Sequence, residues 1–337
     1  MPSTDDEFIA LDGVEKVFDV RRKTGFLRRE RRQVRAVDSL TFTVPRGEMV
    51  GYIGPNGAGK STTIKMLTGI LTPSAGRLRV AGIDPSRERA RLAHRMGVVF
   101  GQRTTLWWDL PLIDSYRLMR RMYRIPDERY AANLARCVDL LELGDLLDVP
   151  VRQLSLGQRM RGDIAAALLH DPEVLYLDEP TIGLDIVSKV KVRGFLRELN
   201  AQLGTTVLLT THDLTDIEQL CRRVMVIDHG RLMYDGELDG LHRAGGAAAE
   251  RTLVVDFERE LPPLDLGPEL ELDIGEGVRV VKVDGVRQWL AFPAGRSAAP
   301  LVARIAERYP LVDLSVREPD IESVIARMYA RDTPVAP

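Results

Sequence analysis

Short apolar runs alternate with longer stretches of helical periodicity from Phe8 to about Leu241, which predicts an α/β domain. Several runs are apolar at every position, as in strands that a parallel sheet buries on both faces. The first two runs, FIALDGVEKVFDV and AVDSLTFTV, instead predict antiparallel strands of a small side sheet. The predicted strands of the main sheet are Met49–Gly54, Met96–Gly101, Glu173–Glu179, Thr205–His212 and Arg223–Asp228.

A different pattern follows the stretch RAGGAAAE, whose composition is typical of a linker. Asp284-Gly285 stands between two alternating runs and predicts a hairpin. A helix over Pro300–Tyr309, a strand LVDLSV and a last helix IESVIARMYA complete a small α+β domain. The predicted organisation is a first domain over 1–242, a linker over 243–250 and a C-terminal accessory domain over 251–337.

Charge is balanced overall but uneven along the chain. Lys and Arg number 47 against 49 Asp and Glu, a net charge of −2 that argues against a general nucleic-acid binder. Residues 21–35 hold eight Lys and Arg against one Glu, whereas Asp256 to Glu276 hold eight acids against one Arg. We interpret the basic insertion 21–35 as a hairpin connection near an anionic membrane surface, with a solvated loop as the alternative.

No apolar run approaches the roughly 20 residues that cross a bilayer. The acidic start MPSTDDEFIALDG lacks the basic and then apolar layout of a signal peptide. Cys137 and Cys221 are far apart and in no CxxC arrangement, so neither a disulfide framework nor a zinc site is indicated. We therefore expect a reduced, intracellular chain.

A phosphate-binding loop follows the first strand of the main sheet. The nine residues Gly54-Pro55-Asn56-Gly57-Ala58-Gly59-Lys60-Ser61-Thr62 fit the pattern G-x-x-x-x-G-K-[ST] between a strand and a helix. Backbone N–H groups of such a loop surround the β-phosphate, and the positive end of the helix dipole faces the anion. Lys60 is expected to reach the β- and γ-phosphates, and the Ser61 hydroxyl to ligate Mg²⁺.

Two carboxylates end a later apolar strand, VLYLDE. Asp178 is positioned to hold Mg²⁺, and Glu179 to polarise the attacking water. An acidic pair at a strand end is more often a helix cap or a solvated loop. Because a phosphate-binding loop precedes it, we interpret this pair as part of a nucleotide site.

Leu154-Ser155-Leu156-Gly157-Gln158 opens a helical stretch between these two motifs, and here the chain resembles the nucleotide-binding subunits of ATP-binding-cassette (ABC) transporters. The resemblance implies a P-loop ATPase fold with a helical subdomain and an antiparallel side sheet. The matching motifs stand in the family's order: Phe18, Walker A (54–62), Gln102, the signature loop (154–158), Walker B (174–179), Gly183-Leu184-Asp185 and His212.

The resemblance also implies roles for single residues. Phe18 resembles the aromatic residue that stacks on adenine, and Gln102 the glutamine that contacts Mg²⁺ and the attacking water. His212 resembles the histidine that contacts the γ-phosphate. Glu179, His212 and Gln102 are thus the candidate catalytic residues, and Ser61, Gln102 and Asp178 the candidate Mg²⁺ ligands.

In such subunits the signature loop binds the γ-phosphate held by the opposite subunit, so two ATP molecules lie within a head-to-tail dimer. The residues that act in trans would be Ser155, Leu156, Gly157, Gln158 and Asp185. Two positions depart from the usual pattern. Leu156 replaces a glycine, which weakens any role that needs a positive φ there, and Gly183 replaces a small Ala or Ser.

The segment FGQRTTLWWDLP resembles the ABC-2 exporter group, in which membrane-spanning permeases are separate polypeptides. We therefore expect a peripheral ATPase on the cytoplasmic face of the membrane, as a homodimer or paired with another ABC subunit, with permease partners and no nucleic acid. The closing LSVREPDIESVIARMYA resembles the end of the extension on many such ATPases. The alternatives are an importer ATPase with a C-terminal regulatory domain and a soluble ABC ATPase acting on nucleic acid or ribosomes.

Overall fold

The computed structural model describes residues 7–23, 29–101, 103–238, 240–241, 250–264, 277–293 and 296–317. The Cα positions cluster into two compact units, Met1–Leu238 and Asp239–Pro337. The predicted linker residues 243–249, the predicted last helix and Gln102 lie outside the described residues.

The first unit opens with an antiparallel side sheet, as predicted, but this sheet has three strands where the sequence predicted two. Strands β1 (Ile9–Lys23) and β2 (Arg29–Val44) form a long hairpin, and β4 (Ala75–Val80) pairs with the other edge of β1. The register of β1 and β2 continues to Lys23↔Arg29, so the basic stretch lengthens this hairpin. The prediction of a hairpin connection is confirmed for its described residues.

A six-stranded sheet forms the centre of the unit, in the order β5-β6-β7-β3-β8-β9. All five predicted strands are confirmed, and they pair in parallel because helices connect them on both faces. Strand β9, which the sequence pattern does not predict, adds one antiparallel edge. The bounds are β3 Met49–Ile53, β5 Met96–Phe100, β6 Val174–Asp178, β7 Thr206–Thr210, β8 Arg223–Asp228 and β9 Arg231–Glu237.

Seven helices accompany these strands in the described part of the unit: α1 Lys60–Leu67, α2 Arg89–Ala93, α3 Leu112–Tyr123, α4 Asp127–Leu140, α5 Leu156–Leu168, α6 Ile186–Leu203 and α7 Leu214–Leu220. Helices α3, α4 and α5 stand between β5 and β6 and form the predicted helical subdomain. The buried Tyr116 hydroxyl of α3 donates to the Gly162 carbonyl at 3.1 Å, and Arg161 Nη1 donates to the Leu141 carbonyl at 2.6 Å. These bonds join α3 and the end of α4 to α5.

The hydrophobic core of the first unit lies between the side sheet and the central sheet and continues under α1. Tyr52 of β3 is fully buried, and its hydroxyl lies 3.2 Å from Thr63 Oγ1 of α1. A satisfied buried hydroxyl avoids the cost of an unpaired polar group. This contact fixes α1 on the strand that precedes the phosphate-binding loop.

In its described residues the second unit is an antiparallel sheet with a helix, which agrees with the predicted α+β class and with the predicted helix over Pro300–Tyr309. Its strands are β10 Glu250–Phe257, β11 Arg279–Asp284, β12 Arg287–Pro293 and β13 Leu311–Arg317, in the order β11-β12-β10-β13. Helix α8 (Ala299–Arg308) buries Leu301 and Ile305 against Leu253 and Phe292. Glu250, predicted as the last linker residue, begins β10.

The β11–β12 hairpin is confirmed, but its turn lies one residue later than predicted. Asp284 pairs with Arg287, so the two turn residues are Gly285 and Val286. Gly285 has φ +60°, which a left-handed turn position requires. The Asp284 and Gly285 pair is therefore split between strand and turn. Among the described residues, no helix is long and apolar enough to span a membrane.

Candidate active site

The carboxyl ends of three neighbouring strands bring the candidate residues together. Strand β7 lies between β3 and β6, and parallel strands present their carboxyl ends at one edge of the sheet. The loop after β3 therefore lies beside the end of β6, where Asp178 and Glu179 stand, and beside the end of β7, which leads to His212. Residues more than 100 positions apart in the chain thus share one site.

The phosphate-binding loop ends in a helix whose first turn carries no acidic residue. Gly59 caps α1 with φ +105°, and a Cβ there would stand 2.5 Å from the Ala36 carbonyl oxygen. Only glycine fits this position without displacing the side sheet. The N–H groups of the first helical turn have no intrahelical partner, so this end of α1 favours an anion.

Lys60, the first residue of α1, is only 6% exposed. Its Nζ donates to the carbonyl oxygens of Gly54 at 2.5 Å and Pro55 at 3.2 Å. Burial lowers the pKa of Lys60, and the charges of Glu179 and Asp178 oppose that shift. The ammonium group is thus held over the loop, in the field of both carboxylates.

Oxygen atoms from three elements meet at Asp178. Its Oδ2 lies 3.4 Å from Ser61 Oγ of α1, and its Oδ1 accepts from Thr210 Oγ1 of β7 at 2.6 Å. A hydroxyl and a carboxylate oxygen are the ligand types that Mg²⁺ prefers. The donor set of Ser61 and Asp178 therefore fits Mg²⁺. Within the described residues, no group of three or more His, Cys, Asp and Glu side chains could hold a metal by itself.

Glu179 stands beside His212, with Oε1 and Nε2 2.8 Å apart. The backbone of Glu179 has φ 56°, an unusual value for a residue with a side chain, and its N–H donates to the Thr210 carbonyl at 2.9 Å. Backbone strain of this kind persists only where surrounding contacts impose it, and it is concentrated at functional sites. The strand end therefore fixes the Glu179 backbone.

An open depression of about 180 Å³ lies over this edge of the sheet. It is lined by Ala36, Pro55, Asn56, Gly57, Gly59, Lys60, Ser61, Thr62 and Glu179. Phe18 is half-buried on β1, where Lys16 Nζ lies 5.3 Å from its ring centroid, and it does not line the depression. The side sheet contributes Ala36 instead.

The signature loop forms the exposed N-terminus of α5 at a second place on the unit. Ser155 caps the helix: its Oγ accepts from the Gln158 N–H at 3.2 Å, and its own N–H donates to Gln158 Oε1 at 2.8 Å. Leu156 is the first helical residue and does not have a positive φ. The departure from glycine at this position therefore costs no backbone strain, and the free N–H groups of the first turn stay available to an anion.

Comparison with known proteins decides the family. The sequence model of the ABC transporter family matches residues 37–182. The daunorubicin/doxorubicin resistance ATP-binding protein DrrA of Streptomyces peucetius is 34% identical over 87% of this chain and 94% of its own length. The chain belongs to the ATP-binding subunits of ABC transporters. The ABC transporter ATP-binding protein NatA of Bacillus subtilis is 33% identical over 64% of this chain and 87% of its own length.

Solved structures agree with this assignment. An ATP-binding subunit of an ABC transporter superposes on the cassette with a TM-score of 0.60 at 25% identity, over 70% of this chain and 92% of its own. The dimeric cassette MJ0796 with bound ADP and Pi has a TM-score of 0.58 at 26% identity, over 68% and 98% of the two chains. The predicted family and fold are confirmed, and with them the ATPase activity.

Thr210 is a site residue of this cassette that the sequence motifs do not identify. Its hydroxyl orients Asp178, and the parallel register pairs these two residues directly. The only signal in the sequence is a hydroxyl residue two positions before His212, at the end of an apolar run. Gln102 itself is not described, but its neighbour Gly101 donates its N–H to the Asp178 carbonyl at 2.7 Å.

Proposed function

We propose that this cassette hydrolyses MgATP at the interface of a head-to-tail dimer and thereby drives separately encoded permeases of an exporter. The observation that carries the proposal is the convergence of Lys60, Asp178 and Glu179 at one sheet edge, while the anion-binding end of α5 lies elsewhere on the unit. A site that lacks this second anion-binding element is incomplete within one chain. A second copy would supply it.

Each residue has a distinct role in this proposal. Lys60 and the N–H groups of the loop bind the β- and γ-phosphates, while Ser61 and Asp178 hold Mg²⁺, which neutralises phosphate charge when bound. Glu179 accepts a proton from the attacking water, and His212 holds the Glu179 carboxylate in position. The Ser155 hydroxyl and the Gly157 N–H are presented to the γ-phosphate of the partner chain. Phe18 and Gln102 keep the roles that the family resemblance implies.

The direct test is phosphate release from MgATP by the purified full-length protein, with its mass measured with and without ATP. We expect hydrolysis and a dimer that forms only with nucleotide. A permanent monomer that hydrolyses ATP at a rate proportional to its concentration would contradict the shared site. If cells lose export of the substrate when the neighbouring permease genes are deleted, the exporter assignment is supported. If transport instead depends on an extracytoplasmic binding protein, an importer is favoured.

The permease contact in this proposal is the segment after Gln102. Trp107 and Trp108 are 37% and 49% exposed, and the Arg159 guanidinium lies 5.3 Å from the Trp108 ring centroid. Buried Asp163 of α5 fixes the segment, because its Oδ1 accepts from Thr105 N–H at 2.8 Å. Exposed aromatic side chains on a rigid support are frequent anchors of interfaces.

Replacement of Trp107 and Trp108 together by Ala is expected to abolish co-purification with the permease and transport, while ATP binding stays unchanged. Large aromatic anchors contribute about 2 kcal/mol or more each to an interface, enough to dissociate a complex of moderate affinity. Met122→Ala, on the exposed face of α3, is the matched control. Unchanged assembly and transport in the double variant would exclude this surface as the permease contact.

The basic insertion is proposed to lie against anionic lipid. The register of the hairpin sets Arg21 opposite Arg31 and Lys23 opposite Arg29. Eight of the fifteen residues from 21 to 35 are Lys or Arg, and an anionic surface attracts a segment of that composition. Each basic residue near such a membrane gains about 1 kcal/mol, and salt screens this attraction.

Replacement of Arg21, Arg22, Arg31 and Arg32 by Gln is therefore expected to weaken binding to vesicles of phosphatidylserine and phosphatidylcholine, more strongly at low salt than at high salt. The control replaces Arg87, Arg89 and Arg91, which lie around α2, by Gln. Sedimentation with vesicles measures both. Salt-independent binding, or no binding by the wild-type protein, would reject the lipid contact.

Residues 251–337 are proposed to form an accessory domain that modulates dimerisation or permease pairing. The described residues of this region have their own core, and none of the nucleotide motifs lies there. A chain that ends at Leu241 is expected to bind ATP with an affinity close to that of the full protein. Calorimetric titration of a truncated protein that remains folded measures this. Loss of binding would show that the domain boundary or the role is wrong.

A further inference from the structure

The loop between β6 and α6 connects Glu179 to the signature helix within one chain. It is tightly wound, because the Ile182 N–H donates to the Glu179 carbonyl at 3.3 Å and the Leu184 N–H to the Thr181 carbonyl at 3.2 Å. Thr181 is buried, and its hydroxyl donates to the buried carboxylate of Asp216. These hydrogen bonds hold the loop in one conformation that begins at Glu179.

The N-terminus of α5 packs on this loop and on the start of α6. A Cβ added at Gly157 would stand 2.5 Å from Ser188 Oγ and 3.0 Å from Ser188 Cβ, so the helix touches Ser188 through the glycine backbone. Ser188 in turn donates its N–H at 2.9 Å and its hydroxyl at 2.7 Å to the carboxylate of Asp185. Ser188 therefore contacts both the N-terminus of α5 and Asp185, the residue that caps α6.

The two residues that depart from the family pattern meet at a second contact. A Cβ at Gly183 would stand 2.9 Å from Leu156 Cδ2, inside the distance that real contacts allow. Gly183 also has φ +70°, where a side chain is strained. The Leu156 methyl group therefore lies where a Cβ at position 183 would need room, and a side chain there would have to displace it.

We propose that Leu156 and Gly183 form a matched pair that fixes the anion-binding end of α5 to the loop carrying Glu179 in the same chain. The inference rests on the proposed function, in which that end binds the partner's γ-phosphate. Through this pair, the nucleotide bound at a chain's own site determines the position of the N-terminus of α5. That position in turn determines how well α5 binds the nucleotide of the partner chain. Leu156 and Gly183 act as positioning residues, because neither reaches the reacting atoms of its own site.

A double-mutant cycle tests the pair. The full-length protein carries Glu179→Gln in every case, so that ATP is held without turnover, and the cycle combines Leu156→Ala with Gly183→Ala. Analytical ultracentrifugation measures the dimer dissociation constant at saturating MgATP. Each single change is expected to weaken the dimer, and the effect of Gly183→Ala is expected to differ by about threefold or more between the two backgrounds, since touching residues couple.

The backbone strain of a side chain at position 183 is present in both backgrounds and cancels in the cycle. Ile182→Ala is the control, because Ile182 lies in the same loop but is 40% exposed. Its effect should be additive with that of Leu156→Ala. Leu156→Met, which keeps the volume of the side chain, should dimerise as tightly as the parent.

Additive effects of Leu156→Ala and Gly183→Ala on dimerisation overturn the inference. Coupling that appears in the melting temperature of the monomer, but not in the dimer constant, also overturns it, because the contact would then be structural only. If the Glu179→Gln protein does not dimerise with ATP at all, the proposed function is wrong and this inference falls with it. The two failures are thus distinguishable.

Discussion

Glu179→Gln is expected to lower ATP turnover by about 10²- to 10⁴-fold, the usual contribution of a general base, with an ATP dissociation constant close to that of the wild type. The reason is geometric. Glutamine keeps the shape of the side chain and an oxygen that can accept from His212, which lies 2.8 Å from Glu179 Oε1, but it does not accept the proton of the attacking water. The loop, Lys60 and Ser61 still bind the nucleotide.

Two measurements separate these effects: single-turnover hydrolysis with labelled ATP, and calorimetric binding in the presence of Mg²⁺. Glu218→Gln, at an exposed position on α7, is the control and should behave as the wild type. Near-wild-type turnover in Glu179→Gln would remove Glu179 from its catalytic role. Loss of ATP binding would show that the carboxylate supports the fold of the site rather than the reaction.

Lys60→Ala is expected to weaken ATP binding by roughly 10- to 100-fold, as loss of a charged hydrogen bond does, and to reduce turnover further. Lys60 is buried, and both its hydrogen bonds are to carbonyl oxygens of the loop, Gly54 and Pro55. Its removal takes away a phosphate partner and the donor that closes the loop. The nucleotide would then face two carboxylates without a compensating ammonium group.

Lys65→Ala is the matched control, because Lys65 is on the same helix but exposed. It should leave ATP affinity unchanged, whereas Lys60→Ala loses it at equal melting temperature. A melting temperature that falls by several degrees in Lys60→Ala alone would measure the contribution of the loop contacts. ATP affinity that survives in Lys60→Ala would contradict the assignment of this lysine to the phosphates.

Much of the first unit was predictable because its signals are local. Each apolar run of five or six residues identifies a buried strand without knowledge of its neighbours, and the register in the structure agrees with the predicted strands. The phosphate-binding loop is equally local, since nine consecutive residues specify strand, turn and helix. Strand β9 was missed because it is an amphipathic edge strand without a continuous apolar run.

In the second unit, the position of the β11–β12 turn was not predictable from the local sequence. The pair Asp284-Gly285 has a high propensity for a turn, yet the turn is Gly285-Val286. The reason is that two factors set the register of a hairpin: the turn propensity of the connecting residues and the pairing of side chains across the strands. The ion pair of Arg287 with Asp256 of β10, at 2.5 Å, holds Arg287 within strand β12 rather than in the turn.

The sequence by itself predicted which residues bind phosphate and which two carboxylates end Walker B, because each motif is a short run whose order along the chain identifies the family. Only the tertiary structure decided that Thr210 orients Asp178, that His212 meets Glu179 and that Leu156 lies against Gly183. These contacts join residues from different strands and helices. They depend on the order of strands in the sheet and on how α5 packs on the loop after β6, and no local run of residues encodes either.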